Sequence, residues 1–182
     1  MFHFLFCRTI SNVKDVYGDI MGELGNDAWS SSEHNVFTRF VDMFHSHISE
    51  DGQHRILTAF VKPDSHVRCV VATVAFGLGV EVPDVRHVLH WGPASDILSY
   101  WQETGRCARD GGMGKATTIL YPGSVSKAYI DEDYISMLEQ ILAGCCIRKC
   151  VLKNLHIKGM GDYTKACEKE NCCSHCNTQL AK

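Results

Sequence analysis

Two groups of residues in this sequence have the types and spacing to do chemistry. The first is Gln102-Glu103-Thr104-Gly105-Arg106-Cys107-Ala108-Arg109-Asp110, which runs into Gly111-Gly112. Two arginines three residues apart can project from one side of a helical turn. Guanidinium groups are permanently charged, planar and able to bond bidentately, so such a pair suits phosphate oxygens. An arginine of this kind, reaching into a neighbouring lobe, can neutralise charge on a transferring phosphoryl group, an effect worth roughly 10³ to 10⁵ in rate. The plainer reading is a surface pair bridged to Glu103 and Asp110, which would be nearly neutral in energy.

The second group is the run of cysteines from Cys145 to Cys176. Thiolates suit tetrahedral Zn²⁺, and Cys173-x-x-Cys176 has the two-residue gap that lets neighbouring sulfurs share one ion. Cys145, Cys146 and Cys150 lie in a preceding helical stretch, Cys167 and Cys172 lie nearer the pair, and His175 is the rival ligand. Ten cysteines in a small secreted chain would indicate disulfides. Here the sequence opens on Met1-Phe2-His3-Phe4-Leu5-Phe6-Cys7 with no basic flank, and the cysteines crowd behind an ordinary core, so reduced thiols and metal are expected. Cys7, Cys69 and Cys107 are expected to be buried small hydrophobes.

These groups need elements to position them. The 182 residues are 45% apolar and 21% charged, which excludes disordered and fibrous classes. No apolar run approaches the length of a membrane span. A net charge of −3 does not advertise a nucleic-acid binder, yet a lobe that touches a phosphate backbone through a few loops depends on local charge rather than the total.

The spacing predicts a buried strand over 2–7 and an amphipathic helix carrying Val13, Val16, Tyr17, Ile20 and Leu24, capped by Ser11 or Asn12 and stopped by Gly25. A loop over Asn26 to Asn35 and a helix carrying Ile56, Leu57 and Phe60 follow. Val67 to Thr73, Arg86 to Trp91 and Ala116 to Tyr121 are rich in β-branched and aromatic residues and predict further strands. Between the last two, Ser95 caps a helix whose apolar side carries Ile97, Leu98 and Trp101. Strands alternating with helices predict an α/β fold with a parallel, doubly wound sheet over residues 1–122. Residues 123–182 read as a small helical subdomain with too few large apolar residues to hold itself together without a staple. Trp91 and Trp101 are expected to pack, and the ten histidines to serve in core or surface roles. Lys62, Arg68 and Lys115 are expected to be solvated.

Around the arginine pair, Ala72-Thr73-Val74-Ala75-Phe76-Gly77-Leu78-Gly79-Val80, then Pro83-Asp84-Val85, then His90-Trp91-Gly92-Pro93 lead into Ser99-Tyr100-Trp101-Gln102. Together these segments closely resemble the RecQ family of DNA helicases over roughly residues 3 to 182. The resemblance implies the second RecA-like lobe of an ATP-dependent helicase that moves 3′ to 5′ on DNA in replication, recombination or repair in the nucleus, followed by a zinc-binding segment. It implies that Gln102, Arg106 and Arg109 face ATP held between lobes, and that Gly77, Gly79, Asp84 and Gly105 border the nucleotide. Thr73 and Arg8 would face DNA. By the same resemblance, structural Zn²⁺ would be held by Cys146, Cys167, Cys173 and Cys176, with Cys150, Cys172 and His175 as alternatives.

Two departures stand out. The family usually has Ala-Gly between the arginines, where this sequence has Cys107-Ala108. The sequence also contains no Gly-x-x-x-x-Gly-Lys-Ser/Thr loop and no Asp-Glu-x-His segment, which in the family sit on a first lobe and hold ATP and Mg²⁺. The chain is therefore expected to be a fragment or a truncated form lacking that partner lobe, and to be inactive towards ATP as it stands. The alternative expectation is a stand-alone, zinc-stabilised module that binds DNA or a protein partner.

Overall fold

A computed structural model describes residues 1–62, 64–73, 82, 85–157, 161–162 and 172–180. Five strands form one parallel sheet: β1 (Phe2–Cys7), β2 (Val41–Phe44), β3 (Cys69–Ala72), β4 (Val85–Trp91) and β5 (Lys115–Ile119), in the order β2-β3-β1-β4-β5. Every pairing is parallel, which confirms the expected doubly wound sheet. The order reverses beside β1, so the crevice beyond the carboxyl ends of β1 and β4 is where such sheets bind ligands.

The alternation along β1 explains the two-sided burial. Phe2, Phe4 and Phe6 enter one core with Phe44, Ile56, Phe60, Val70 and Val88. Leu5 and Cys7 enter the other with Val13, Val16, Val41 and Val71. Helix α1 (Ile10–Leu24) supplies Val13 and Val16 to the second core, and α2 (Glu50–Val61) supplies Ile56 and Phe60 to the first. A parallel sheet covered on both faces reads as near-continuous apolar runs, as β1 does.

The chain divides into two compact units. One holds Met1–Pro93 and Gln102–Ser124, and the other Ala94–Trp101 and Val125–Lys182, so the division falls within α3 (Ile97–Thr104). In the second unit, α4 (Glu132–Leu142) and α5 (Ile147–Leu155) bury Tyr134, Met137, Leu138, Cys150 and Val151 with Ala94. Ile97 and Tyr100 pack against them, so residues from before position 123 give this unit the apolar core that 123–182 alone lacked in the sequence reading. A last helix, α6, covers Ser174–Leu180. No helix among the described residues is long and apolar enough to cross a membrane.

The structure corrects several local expectations. The cap of α1 is Thr9, whose hydroxyl accepts from Asn12 N at 3.1 Å, rather than Ser11 or Asn12. At α3 the carboxylate of Asp96 accepts from Ser99 N at 2.8 Å, while the Ser95 hydroxyl bonds to that carboxylate and to the Ser99 hydroxyl rather than to a helix amide. Leu98 and Trp101, expected to pack, are 56% and 47% exposed, because Ile97 and Tyr100 are the residues turned to the core.

Strand β2 was not predicted. It is four residues long and carries Asp42, fully buried in a position where an apolar residue would have marked a strand. Asp42 is held by Arg39 at 2.5 and 3.1 Å, by Arg55 at 2.9 Å and by its neighbour's amide, Met43 N, at 2.9 Å. Arg39 also donates to the Tyr17 hydroxyl at 3.2 Å, so one carboxylate joins α1, β2 and α2. Removing it leaves two guanidiniums facing an uncompensated site. Asp42→Ala is expected to cost about 3–5 kcal/mol in urea unfolding. A loss under about 1 kcal/mol would show that the triad is replaceable.

Candidate functional site

Helix α3 ends at Thr104, and the chain turns through Gly105 to Asp110 before β5. Gln102, Gly105 and Arg109 are exposed, while Arg106 is half-buried. The turn is pinned from below: Ala108 N donates to Val85 O at 2.8 Å, and Cys107 N to Thr104 O at 3.0 Å. The Cys107 thiol is half-buried rather than buried, approaching Val85 O at 3.7 Å and Lys115 O at 3.6 Å.

The two acids of this segment each meet a partner on β4. Glu103 is 6% exposed, and its carboxylate lies 2.7 Å from Nε2 of His90 on β4, itself 2% exposed. Asp110 receives both terminal nitrogens of Arg86, at 2.7 and 2.5 Å, and the Gly112 amide at 3.0 Å. The Arg86 guanidinium and that amide hold the Asp110 carboxyl down at about 2. Both acids thus have partners on β4: His90 for Glu103 and Arg86 for Asp110.

Arg109 Nε reaches Gly105 O at 3.4 Å, whereas the buried Nε of Arg106 has no hydrogen-bond partner among the described residues. Burial lowers the pKa of Arg106, the nearby Arg109 lowers it further, and only Glu103 opposes them. A desolvated cation beside a second cation favours an incoming anion.

Ala108 has φ 56°, the one non-glycine left-handed residue among those described. This is the position where the RecQ pattern has glycine, and the backbone gives the reason: the turn requires a conformation that costs a side-chain-bearing residue about 1–2 kcal/mol. The neighbouring chain has adapted. A Cβ at Gly114 would stand 2.5 Å from Cys107 Sγ and 2.9 Å from Ala108 Cβ, so glycine there makes room for the two substituted residues.

Arg8 follows β1 directly. Its Nη2 donates to Pro93 O at 3.2 Å and Ser124 O at 2.9 Å, so part of its guanidinium is committed to backbone. Thr73 is buried at the carboxyl end of β3, its amide donating to Phe44 O at 3.2 Å. Gly77, Gly79 and Asp84 lie outside the described residues.

In the second unit, Cys146, Cys172, Cys173 and Cys176 bring four sulfurs within 4.8 Å of one another. Cys146 Sγ lies 3.6 Å from that of Cys172 and 3.9 Å from that of Cys173. These separations are too long for disulfides, and they match the edge of about 3.8 Å that tetrahedral Zn–S bonds of about 2.3 Å require. Burial alone would raise the Cys146 thiol, but the Lys149 amide at the start of α5 and the thiols of Cys172, Cys176 and Cys173 bring it down to about 7. Cys176 is pushed up to about 12 by its bonds to Cys146 and Cys173. Four clustered sulfurs are the donor set a soft cation completes, so the cluster can hold a metal ion.

Three of the four cysteines expected as ligands are thus together, and Cys167 lies outside the described residues. Cys172, an alternative in the sequence reading, joins the group in space. Cys150 sits in the apolar core, its thiol raised to about 11 by burial and then by Cys145.

Residues 4–111 match the family model described as the helicase conserved C-terminal domain. The chain belongs to this family. Its relatives include the bifunctional 3'-5' exonuclease/ATP-dependent helicase WRN of Mus musculus, 28% identical over 146 residues covering 72% of this chain and 10% of that protein. ATP-dependent DNA helicase Q1 of Pongo abelii is 35% identical over 120 residues, 60% of this chain and 18% of that one. These relatives bear out the RecQ resemblance. This helicase domain spans between 10% and 25% of the length of the first curated relatives it matches.

In fold it resembles domain 2 of the DEAD-box helicase Mss116p, solved bound to an RNA duplex, with TM-score 0.56 and 18% identity over 77% of this chain and 47% of that one. The helicase C-terminal domain is thus a RecA-like lobe, with the arginine segment inside the matched region and the cysteine cluster beyond it.

The sequence reading missed Arg86 and His90. The available signal was the strand period, which places Arg86, Val88 and His90 on one face of β4 opposite two acids. In this domain Ala108→Gly is expected to raise stability by about 0.5–1 kcal/mol, relief of the left-handed strain exceeding the added freedom of the unfolded chain. Denaturant titration measures it, and destabilisation would mean that the methyl group packs usefully.

Proposed function

We propose that this domain is the second motor lobe of a RecQ-type, ATP-dependent DNA helicase moving 3′ to 5′. The observation that carries the reading is the half-buried Arg106, whose Nε has no hydrogen-bond partner among the described residues while Glu103 and Asp110 meet partners on β4. In a two-lobed protein, ATP and Mg²⁺ would be held by a first lobe's phosphate loop. Arg106 and Arg109 would neutralise the γ-phosphate, Gln102 would orient it, and Gly77, Gly79, Asp84 and Gly105 would border the nucleotide. Thr73 and the free part of Arg8 would face DNA. Work in replication, recombination or repair, in the nucleus, goes with this reading.

The 182 residues contain no phosphate-binding loop, so the domain by itself should release no phosphate from ATP above background. Joined to a first lobe that carries one, it should hydrolyse ATP when DNA is present. Arg106→Ala should then lower kcat by roughly 10³-fold or more with nucleotide binding retained. A variant that keeps kcat within a few-fold of the parent sinks the arginine assignment. The lack of a phosphate loop also favours a second reading, a non-enzymatic DNA- or partner-binding module. Tight, salt-dependent DNA binding by the chain, with no gain of ATP turnover on adding a first lobe, would favour it.

We also propose that residues 123–182, beyond a lobe of 1–122, form a subdomain stapled by structural Zn²⁺. Cys146, Cys173 and Cys176 are three ligands, and the fourth is Cys167 by family pattern, with Cys172, whose sulfur lies within 4.8 Å of those three, as the alternative. Four thiolates close the coordination sphere, so the ion tethers helices rather than activating water. One Zn²⁺ per chain is expected by elemental analysis, retained in Cys145→Ser and lost in Cys146→Ser together with a lower Tm. Retention in Cys146→Ser would refute the site.

A further inference from the structure

The four groups that bracket the arginine pair come from only two places. Glu103 and Asp110 stand on either side of Arg106 and Arg109 in sequence, and both find their partners on β4: His90 for Glu103 and Arg86 for Asp110. Residues 86 and 90 are four apart in a strand, hence on the same face and about 13 Å apart. We infer that β4 acts as a ruler for the arginine pair, with Arg86, His90, Glu103 and Asp110 as positioning residues that fix both ends of the turn carrying Arg106 and Arg109. This rests on the proposed reading of the two arginines as a phosphate site.

Four further observations support it. The turn is tied to β4 at a third point, Ala108 N on Val85 O at 2.8 Å. Gly112 is the residue that lets Arg86 lie flat against the turn, since a Cβ there would stand 2.6 Å from Arg86 Nη1. The bidentate geometry at Asp110 fixes orientation as well as distance, which a single bond from lysine would not. The His90 ring is in turn stacked on Phe6 of the central strand at 5.7 Å, so the clamp at Glu103 is anchored in the core.

Positioning makes a prediction opposite in sign to simple charge. If Asp110 acts only through its field, removing it takes a negative charge from beside an anion site and tightens anion binding. If it acts by holding the turn, removing it weakens binding although the site becomes more positive. Asp110 is an exposed residue, so its loss spares the fold, and thermal melts of each variant verify that.

The experiment is calorimetric titration of the intact chain with inorganic tripolyphosphate at low ionic strength. Asp110→Ala should bind on the order of tenfold more weakly than the parent. Asp110→Glu, which keeps a carboxylate for Arg86, should restore most of the affinity. Arg86→Ala/Asp110→Ala should match Asp110→Ala within about twofold, since both changes break one clamp. Equal or tighter binding by a folded Asp110→Ala overturns the inference while the arginine reading stands, provided Arg106→Gln and Arg109→Gln still lose affinity. If those two bind like the parent, the phosphate site itself is wrong and the inference falls with it.

Discussion

The arrangement turns on one hydrogen bond, between His90 on β4 and Glu103 in the last turn of α3. A carboxylate that is 6% exposed is costly to bury without a partner, so the helix must end where the imidazole can meet it. That fixes where the last turn of α3 meets β4 and, with it, the point at which the chain leaves the helix towards Arg106. The Arg86–Asp110 pair does the same at the far end of the turn. Between the two, Arg106 and Arg109 lie close enough that Arg109 lowers the pKa of Arg106, while Glu103 opposes that shift.

β1 is covered on both faces, by a phenylalanine-rich core on one side and an aliphatic core on the other. Its neighbour β4, paired on both sides by β1 and β5, therefore offers a rigid strand from which His90 and Arg86 can work. The substitution of Cys107-Ala108 for the family's Ala-Gly loads this same turn with a left-handed alanine, and Gly114 accommodates the two side chains. The strain lies in the backbone between the arginines.

Much of the fold was legible in the sequence because β1, β3, β4 and β5 are short apolar runs separated by helical periodicity, the pattern of a covered parallel sheet. Strand β2 escaped because a buried charged triad occupies it, and Asp42 reads as a loop residue until Arg39 and Arg55 are seen around it. The arginines were legible from spacing and family pattern. Their clamps were not, since Glu103 pairs thirteen residues back and Asp110 twenty-four, and a local reading of the segment offers each acid a nearer arginine. Cys146, Cys173 and Cys176 were likewise evident from spacing, while the proximity of Cys172 to Cys146 comes from how α5 and the start of α6 meet.

The central claim is that Arg106 and Arg109 are presented to an anion while Arg86 is not. Arginine side-chain Nε–H resonances of the isotopically labelled chain, followed by NMR as tripolyphosphate is added, test it most directly. The account predicts that the signals of Arg106 and Arg109 move together along one binding curve while that of Arg86 stays in place. Movement of Arg86 with Arg106 unchanged, or no movement of any of the three, would contradict it.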